Sequence, residues 1–377
     1  MTKKVKLGDV ATYINGYAFK PKDRGSKGLP IIRIQDLTGN SYDRGYYAGE
    51  YPEKIEINNG DILISWSASL GVYIWNRGKA LLNQHIFKVV FDKLPINRNY
   101  FVYAVQYHLA DMKQQTHGAT MKHITKGVFE KLTIPYPDMQ VQEEIAKRLN
   151  LIKNIQNKRE IELKKLDDLI KARFVEMFGD VVINSKKWSV YKMSDITESR
   201  LGKMLDKKQQ TGKNLFPYLA NFNVQWFQFD LKELNEMDFD EADQKEFKLE
   251  EGDILVCEGG EIGRCAVWHN QIKNCFFQKA LHRIRCNKEY ILPDYLSWWF
   301  KLSCENHAFD SVAGAKATIA HLPGVKLKKL DVVVPPLDLQ KKFVSILSQI
   351  DKSKAVIQKS IDQTQMLFDS LMQEYFS

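Results

Sequence analysis

The sequence predicts an α+β protein: two β-rich domains with small helices, separated by two long antiparallel helices of coiled-coil pattern, the whole forming an internal pseudo-twofold repeat. Three observations carry this expectation. Residues 119–149 (ATMKHITKGVFEKLTIPYPDMQVQEEIAKRL) return as residues 317–347 (ATIAHLPGVKLKKLDVVVPPLDLQKKFVSIL) at a constant offset of 198 positions, without a gap. Upstream of each copy, Gly60-Asp61-Ile62-Leu63 returns as Gly252-Asp253-Ile254-Leu255, and Gly71 as Gly263. Downstream of each copy, apolar residues recur at a spacing of three to four. A repeat of such long period means one structural unit built twice.

The elements follow in order, with boundaries at 1–138 (first β-rich domain), 139–180 (first long helix), 181–336 (second β-rich domain) and 337–377 (second long helix). The first domain opens on Lys6-Leu7-Gly8-Asp9-Val10, matched by Lys192-Met193-Ser194-Asp195-Ile196 in the second. Pro30 and Asp36-Leu37 match Pro217 and Asn223-Val224, and Gln84-His85 match Gln278-Lys279. Short apolar stretches at Ile31–Ile34, Ile62–Ile64, Ile86–Val90 and Ile254–Val256 read as strands between Gly, Asn and Asp turns. Gly-Asp in GDIL is turn chemistry, and the following Ile-Leu starts a strand. Tyr100–Gln114 and Tyr295–Ala308 read as amphipathic helices with their aromatic residues in the core.

Prolines 135 and 137, and 335 and 336, block helix before them and mark where each long helix begins. The first stripe is Ile145, Leu149, Ile152, Leu163, Leu166, Ile170 and Met177. Phe343, Leu347, Ile350, Ile357, Ile361, Phe368, Leu371 and Tyr375 form the second, in the same heptad register. About 38 residues at 1.5 Å rise give a helix of roughly 57 Å. Such a stripe cannot be buried alone, so the two helices are expected to pack on each other. Gln156 and Lys354 share one seam position, where they are expected to weaken packing or to meet a partner subunit.

Composition limits the function. The 377 residues carry a net charge of +9 with 44% hydrophobic and 27% charged residues, a globular balance whose basic excess favours nucleic acid as partner. The start MTKKVKLGDVATYI lacks a signal-peptide core and no apolar run is long enough to span a bilayer, so a cytoplasmic protein without a membrane partner is expected. Five cysteines, an odd number without framework spacing, argue against disulfides.

The motifs of catalysis are missing. There is no GxxxxGK[ST] phosphate loop and no GxGxxG after a strand. Val334-Pro335-Pro336-Leu337 shares only its prolines with the active-site motif of adenine methyltransferases, and reads as a turn before a helix. Asp238-Phe239-Asp240-Glu241 reads as a solvated loop rather than a metal site. Cys257, Cys265, Cys275, Cys286, His269 and His282 contain no C-x-x-C pair, so buried thiols are expected and no metal. No catalytic residue is assigned.

These features together resemble the specificity (S) subunits of type I restriction-modification enzymes over nearly the full length. The resemblance rests on the paired GDIL turns, Gly71 and Gly263, the Ala-Thr-x-x-His stretches, and IPYPDMQVQ and VVPPLDLQ before the long helices. The usual form of the last motif is closer to P-L-P-P-L-x-E-Q; here Val141 and Leu339 stand where glutamate is usual. The resemblance implies two target recognition domains that read a bipartite double-stranded DNA target. It implies docking of two methyltransferase (M) and two restriction (R) subunits. This chain would bind no cofactor, with S-adenosylmethionine, ATP and Mg on the partners. The alternatives are a catalytic methyltransferase-nuclease fusion, or a coiled-coil scaffold without DNA contact.

Candidate residues follow from DNA chemistry. Candidates for phosphate contact are Lys20, Lys22, Arg33, Arg77, Lys79, Lys122, Lys203, Lys207, Lys208, Arg264, Lys279 and Lys316, though each taken singly reads sooner as solvated surface. The loops after GDIL differ wholly between copies while their flanks persist. They therefore read as DNA-facing tips or as plain hairpin ends, through Trp66, Ser67 and Ser69 in one copy and Glu258, Gly259, Gly260 and Arg264 in the other. Gln84, His85 and Gln278 are candidates for base readout, and Asn221 and Asn223 for adenine readout or turn formation. His123 and His321, with Thr318 beside the latter, fit a shared structural or backbone-contact role. Leu151, Ile155 and Phe174 either dock M subunits or complete the helix-pair core.

Overall fold

The computed structural model describes residues 3–377 apart from 40–42, 44, 68, 116–124, 207–209 and 310–320, and leaves the side chains of 113–115 aside. The chain divides into two compact units, one of residues 1–161 with 358–377 and one of residues 162–357. Both unit boundaries fall inside the long helices, so each unit is completed by the end of the helix that starts in the other copy.

In the first unit, strand Lys4–Lys6 pairs antiparallel with Thr133–Pro135, closing the start of the domain on its end. A four-stranded antiparallel sheet runs in the order Thr12–Asn15, Ile86–Val90, Ile62–Ser65, Gly71–Ile74. A second sheet has the order Tyr46–Tyr47, Leu29–Ile32, Ala80–Leu82, Glu56–Ile57, and its two central strands are parallel. The GDIL turn has a local cause. Gly60 takes a φ of 91°, which costs glycine nothing. The Asp61 carboxylate accepts the Asn58 N–H at 2.8 Å, and Gly60 and Trp75 close the turn through backbone bonds. Ile62, Leu63 and Ile64 are then buried on both faces of the sheet. The strand expected at Ile31–Ile34 stops at Ile32: the Arg33 N–H donates to Asp36 at 2.8 Å, and a short helix Ile34–Thr38 begins.

The helix Arg98–Gln115 is capped by Asn97, whose side-chain oxygen accepts the Tyr100 N–H at 3.0 Å. It buries Tyr100, Phe101, Ala104, Val105 and Leu109. The first long helix, Met139–Phe178, has 40 residues and a length of about 60 Å. Its Ile145, Leu149 and Ile152 share one core with Phe368, Met372 and Phe376 of the second long helix, Leu337–Phe376. Arg148 meets Tyr375 and Gln156 meets Gln365, so the paired segments run in opposite directions.

The second unit repeats this order. Ser189–Lys192 pairs with Asp331–Val334, and the main sheet is Thr197–Leu201, Leu281–Cys286, Ile254–Cys257, Cys265–Val267. The second sheet is Asn235–Asp238, Leu215–Leu219, Phe276–Phe277, again with one parallel pair. Gly252 has a φ of 92°, and Asp253 accepts the Glu250 N–H at 2.8 Å, as in the first copy. A hairpin of Val224–Gln225 and Gln228–Phe229 is added. Ile170, Phe174 and Phe178 join Phe343 and Ile350 in the core beneath helix Pro293–Glu305.

The structure corrects two expectations and decides one alternative. Gln156 and Lys354 do not weaken the seam: Gln156 donates to Gln365 at 2.9 Å, and Lys354 donates to Asp167 at 2.6 Å. Gln365 lies 198 positions after Asp167, so one polar layer is built twice. Phe174 is fully buried, stacked on Tyr295 at 5.4 Å, and completes the core instead of offering a docking surface. Asp238 is not in a solvated loop. Its carboxylate accepts the N–H groups of Thr211, Gly212 and Asn214, and these bonds, Asn214 first, hold its pKa below the usual carboxylate range. All five cysteines are free, and four of them are buried.

Candidate nucleic-acid interface

The tips of the two copies share one backbone frame. In the first, the Gly16 N–H donates to Ile86 O (3.1 Å), Tyr17 N–H to Leu82 O (2.8 Å), Gln84 N–H to Tyr17 O (2.9 Å) and Trp66 N–H to His85 O (3.2 Å). In the second, Gly202 N–H donates to Leu281 O (3.0 Å), Lys203 N–H to Phe277 O (3.2 Å), Lys279 N–H to Lys203 O (2.9 Å) and Glu258 N–H to Ala280 O (3.1 Å). Parallel bridges join Tyr17 to Asn83 and Lys203 to Gln278. The structural counterpart of Gln84 is therefore Lys279, and that of Asn83 is Gln278. This shifts by one residue the match of Gln84 with Gln278 expected from sequence.

Gly16 and Gly202 make this crossing possible and were not singled out by sequence reasoning. A Cβ at either would strike the backbone of Asn83 or Gln278. A signal was present, since each lies nine residues after an equivalent position, Leu7 or Met193. Gly202→Ala is expected to destabilise the second unit by about 1–3 kcal/mol through forced backbone displacement. Thermal unfolding measures this; an unchanged Tm would contradict the close crossing.

The candidate side chains separate into two groups. Lys20, Lys22, Ser69, Gln84, Lys279, Gly260 and His321 are exposed, and Trp66, His85, Glu258, Gly259 and Gln278 are half-buried. Trp66 stacks on Phe87 at 5.6 Å and meets His85 edge-on at 4.8 Å, so the tip of the first copy is aromatic. His85 holds a φ of 73°. His321 bridges Gly259 through its backbone, which ties the Gly-rich tip to the segment after it.

Most of the remaining described candidates are engaged within the fold. Arg33 is buried, with its guanidinium on Asp36 and on the Asp43 carbonyl. Asn223 is 1% exposed: its amide donates to the carbonyls of Asp230 and Glu233 and its oxygen accepts the Ala220 N–H. It holds the turn that Asp36 holds in the first copy, so turn formation, not base readout, is its role. Lys203 donates to Asp243 and to the Asp238 carbonyl, and Ser67 is buried. Arg264 is a staple: it donates to both oxygens of Asn221 and pairs with Glu261, while the Asn221 amide donates to Gly259 O at 2.9 Å. Arg77 donates to Asp36 O at 2.8 Å, and Lys79 pairs with Glu56 at 2.8 Å. Lys122, His123, Lys207, Lys208, Lys316 and Thr318 lie outside the described residues. Leu151 and Ile155 are exposed, at 60% and 39%.

The backbone frame is thus built twice with unlike tips, and comparison with known proteins finds the same duplication. The family model described as "Type I restriction modification DNA specificity domain" matches residues 2–165 and again residues 185–364. The chain belongs to this family and carries its domain twice. It is 23% identical over 400 residues to the type I restriction enzyme EcoBI specificity subunit of Escherichia coli, covering 98% of this chain and 83% of that protein. It is 26% identical over 362 residues to a putative type I restriction enzyme specificity subunit of Haemophilus influenzae, covering 92% and 86%. Among solved structures, the S subunit of the M. genitalium type I restriction-modification system shares the fold, with a TM-score of 0.57, 13% identity, and coverage of 100% and 96%. A chain from a type I R-M system solved for its complex assembly and conformational transition gives a TM-score of 0.61, 12% identity, and coverage of 99% and 97%. Among the described residues, no helix is long and apolar enough to cross a membrane.

Proposed function

We propose that this chain is the specificity subunit of a type I restriction-modification complex and reads a bipartite double-stranded DNA target, one half-site per copy. The observation that carries the reading is the duplicated tip. Backbone hydrogen bonds are the same in both copies, yet Tyr17, Gln84 and Trp66 in one stand where Lys203, Lys279 and Glu258 stand in the other. Equal frames with unlike side chains suit two different base sequences. The chain's role is recognition, and methyl transfer and cleavage belong to M and R subunits carrying S-adenosylmethionine, ATP and Mg. Exposed Leu151 and Ile155 on the first long helix support M docking there. The catalytic-fusion and DNA-free scaffold alternatives lack any such observation in their favour.

The long helices act in this reading as an antiparallel coiled-coil spacer between the reading heads. Inserting seven residues into both helices, between Ile145 and Met177 and at the matching point of the second, keeps the seam in register. It is expected to lengthen the unspecified spacer of the recognition sequence. Methylation sequencing reads the outcome, and an unaltered spacer would sink the ruler role. For the reading itself, Lys279→Ala in the complex with M is expected to relax one half-site only. Equal loss at both half-sites, or none, would overturn the assignment of one copy to one half-site.

A further inference from the structure

A cavity of about 690 Å³ opens in the second unit, with Trp226 of its lining donating to Glu261 of the Gly-rich loop at 2.6 Å. Three aromatic side chains line it. Phe227 and Trp298 stack at 4.5 Å with an interplanar angle of 18°, and Trp226 stands beside them with the Lys301 ammonium 4.5 Å from its ring centroid. Phe227 is held in this wall by a φ of 63°, a left-handed backbone that a phenylalanine rarely adopts. The added hairpin at residues 224–229 presents Trp226 and Phe227, and the first unit has no such hairpin among its described residues.

Carboxylates face the wall from three separate elements: Asp168 on the first long helix, Asp294 at the start of helix Pro293–Glu305, and Asp351 on the second long helix. The cavity's lysines are engaged in ion pairs, while Lys354 also attracts Asp351 and His269 attracts both Asp294 and Asp351. Lys171 and Lys301 pair with Glu305, and Lys354 pairs with Asp167. No ion pair among the described residues engages Asp168, Asp294 or Asp351. Burial first, and then Asp351, pushes the Asp294 carboxyl above its usual range, against the opposing pull of His269. The positions equivalent to Asp294, Asp351 and Asp168 are Asn99, Lys153 and Met366. The feature is thus private to one copy and is no part of the repeated scaffold.

The geometry points to a binding site for an aliphatic polyamine, with its ammonium groups at the separated carboxylates and its methylene spacers on the aromatic wall. A compact cation satisfies one carboxylate but leaves the wall uncovered, whereas cations above aromatic faces are stabilised by the ring quadrupole. The volume lies in the range of ordinary small-ligand pockets. Because the chain carries a net charge of +9, diffuse attraction of a polycation elsewhere on it is disfavoured.

Titration of spermidine into the purified full chain, without DNA, is expected to give saturable binding of one molecule per chain. Asp351→Asn and Asp168→Asn, both at exposed positions, are each expected to weaken it about ten-fold, the loss of one charge-assisted contact. Phe227→Ala is expected to weaken it several-fold while magnesium at equal charge fails to displace the ligand. Absence of saturable binding, unchanged affinity in both aspartate variants, or full displacement by magnesium would overturn the site. Thermal unfolding of each variant checks that the fold is retained, and the two helix-surface variants carry the test should Phe227→Ala disturb its hairpin.

Discussion

Phe174→Ala is expected to destabilise the second unit by about 3–5 kcal/mol, the usual cost of emptying a fully buried aromatic position. Phe174 touches four rings: Tyr295 stacked at 5.4 Å, Phe178 and Phe343 edge-on at 4.8 and 5.3 Å, and Trp298 at 6.3 Å. These rings belong to both long helices and to helix Pro293–Glu305, so the cavity would loosen three elements at once. Hydrogen exchange is expected to show the loss over residues 162–357, with residues 1–161 spared. Leu151→Ala, at a position 60% exposed on the same helix, is expected to stay within about 0.5 kcal/mol of the parent. Equal and small effects of the two changes would contradict the placement of Phe174 in the core.

Gln340→Ala is the second large effect. Its side chain is 0% exposed; it accepts the Leu292 N–H at 2.8 Å and donates to the carbonyls of Pro335 and Tyr290 at 2.8 and 3.0 Å. It thus ties the start of the long helix to the loop before helix Pro293–Glu305. Removing it leaves a buried N–H and two carbonyls without partners, at about 1–3 kcal/mol for each group that water does not reach. Gln142 makes the same clamp in the first unit, accepting the Asn97 N–H at 3.0 Å and donating to Pro137 O at 2.8 Å. Each variant is expected to lower the unfolding transition of its own unit by a similar amount. A loss near zero in both would mean that the clamp is not what fixes the helix start.

The clamp also shows what the sequence makes legible. Gln142 and Gln340 stand out because they recur at one offset, each five residues after a proline, and repetition exposes scaffold residues whatever their chemistry. The GDIL turns were readable for the same reason, and also because glycine at positive φ followed by a capping aspartate is a local arrangement. The long-helix stripes were readable from their period. The fate of the charges was not. Arg33, Lys203 and Arg264 look like phosphate ligands in a basic chain, yet each is bound to an acidic group: Arg33 and Arg264 to Asp36 and Glu261 three residues away, and Lys203 to Asp243, which only the fold brings close. Asn223 was equally opaque, because its amide is satisfied by carbonyls seven and ten residues away. Exposure of Gln84 and Lys279 at one shared backbone position depends on the crossing at Gly16 and Gly202, a tertiary contact that no spacing rule reports.

On the proposed function, two equal frames carry two different readers. Methylated-adenine sequencing of DNA from cells that express the chain with its M subunit tests it most directly. The parent complex is expected to mark a bipartite sequence with unlike halves, Gln84→Ala to relax one half, and Lys279→Ala to relax the other. A single undivided motif, or variants that alter both halves together, would contradict it.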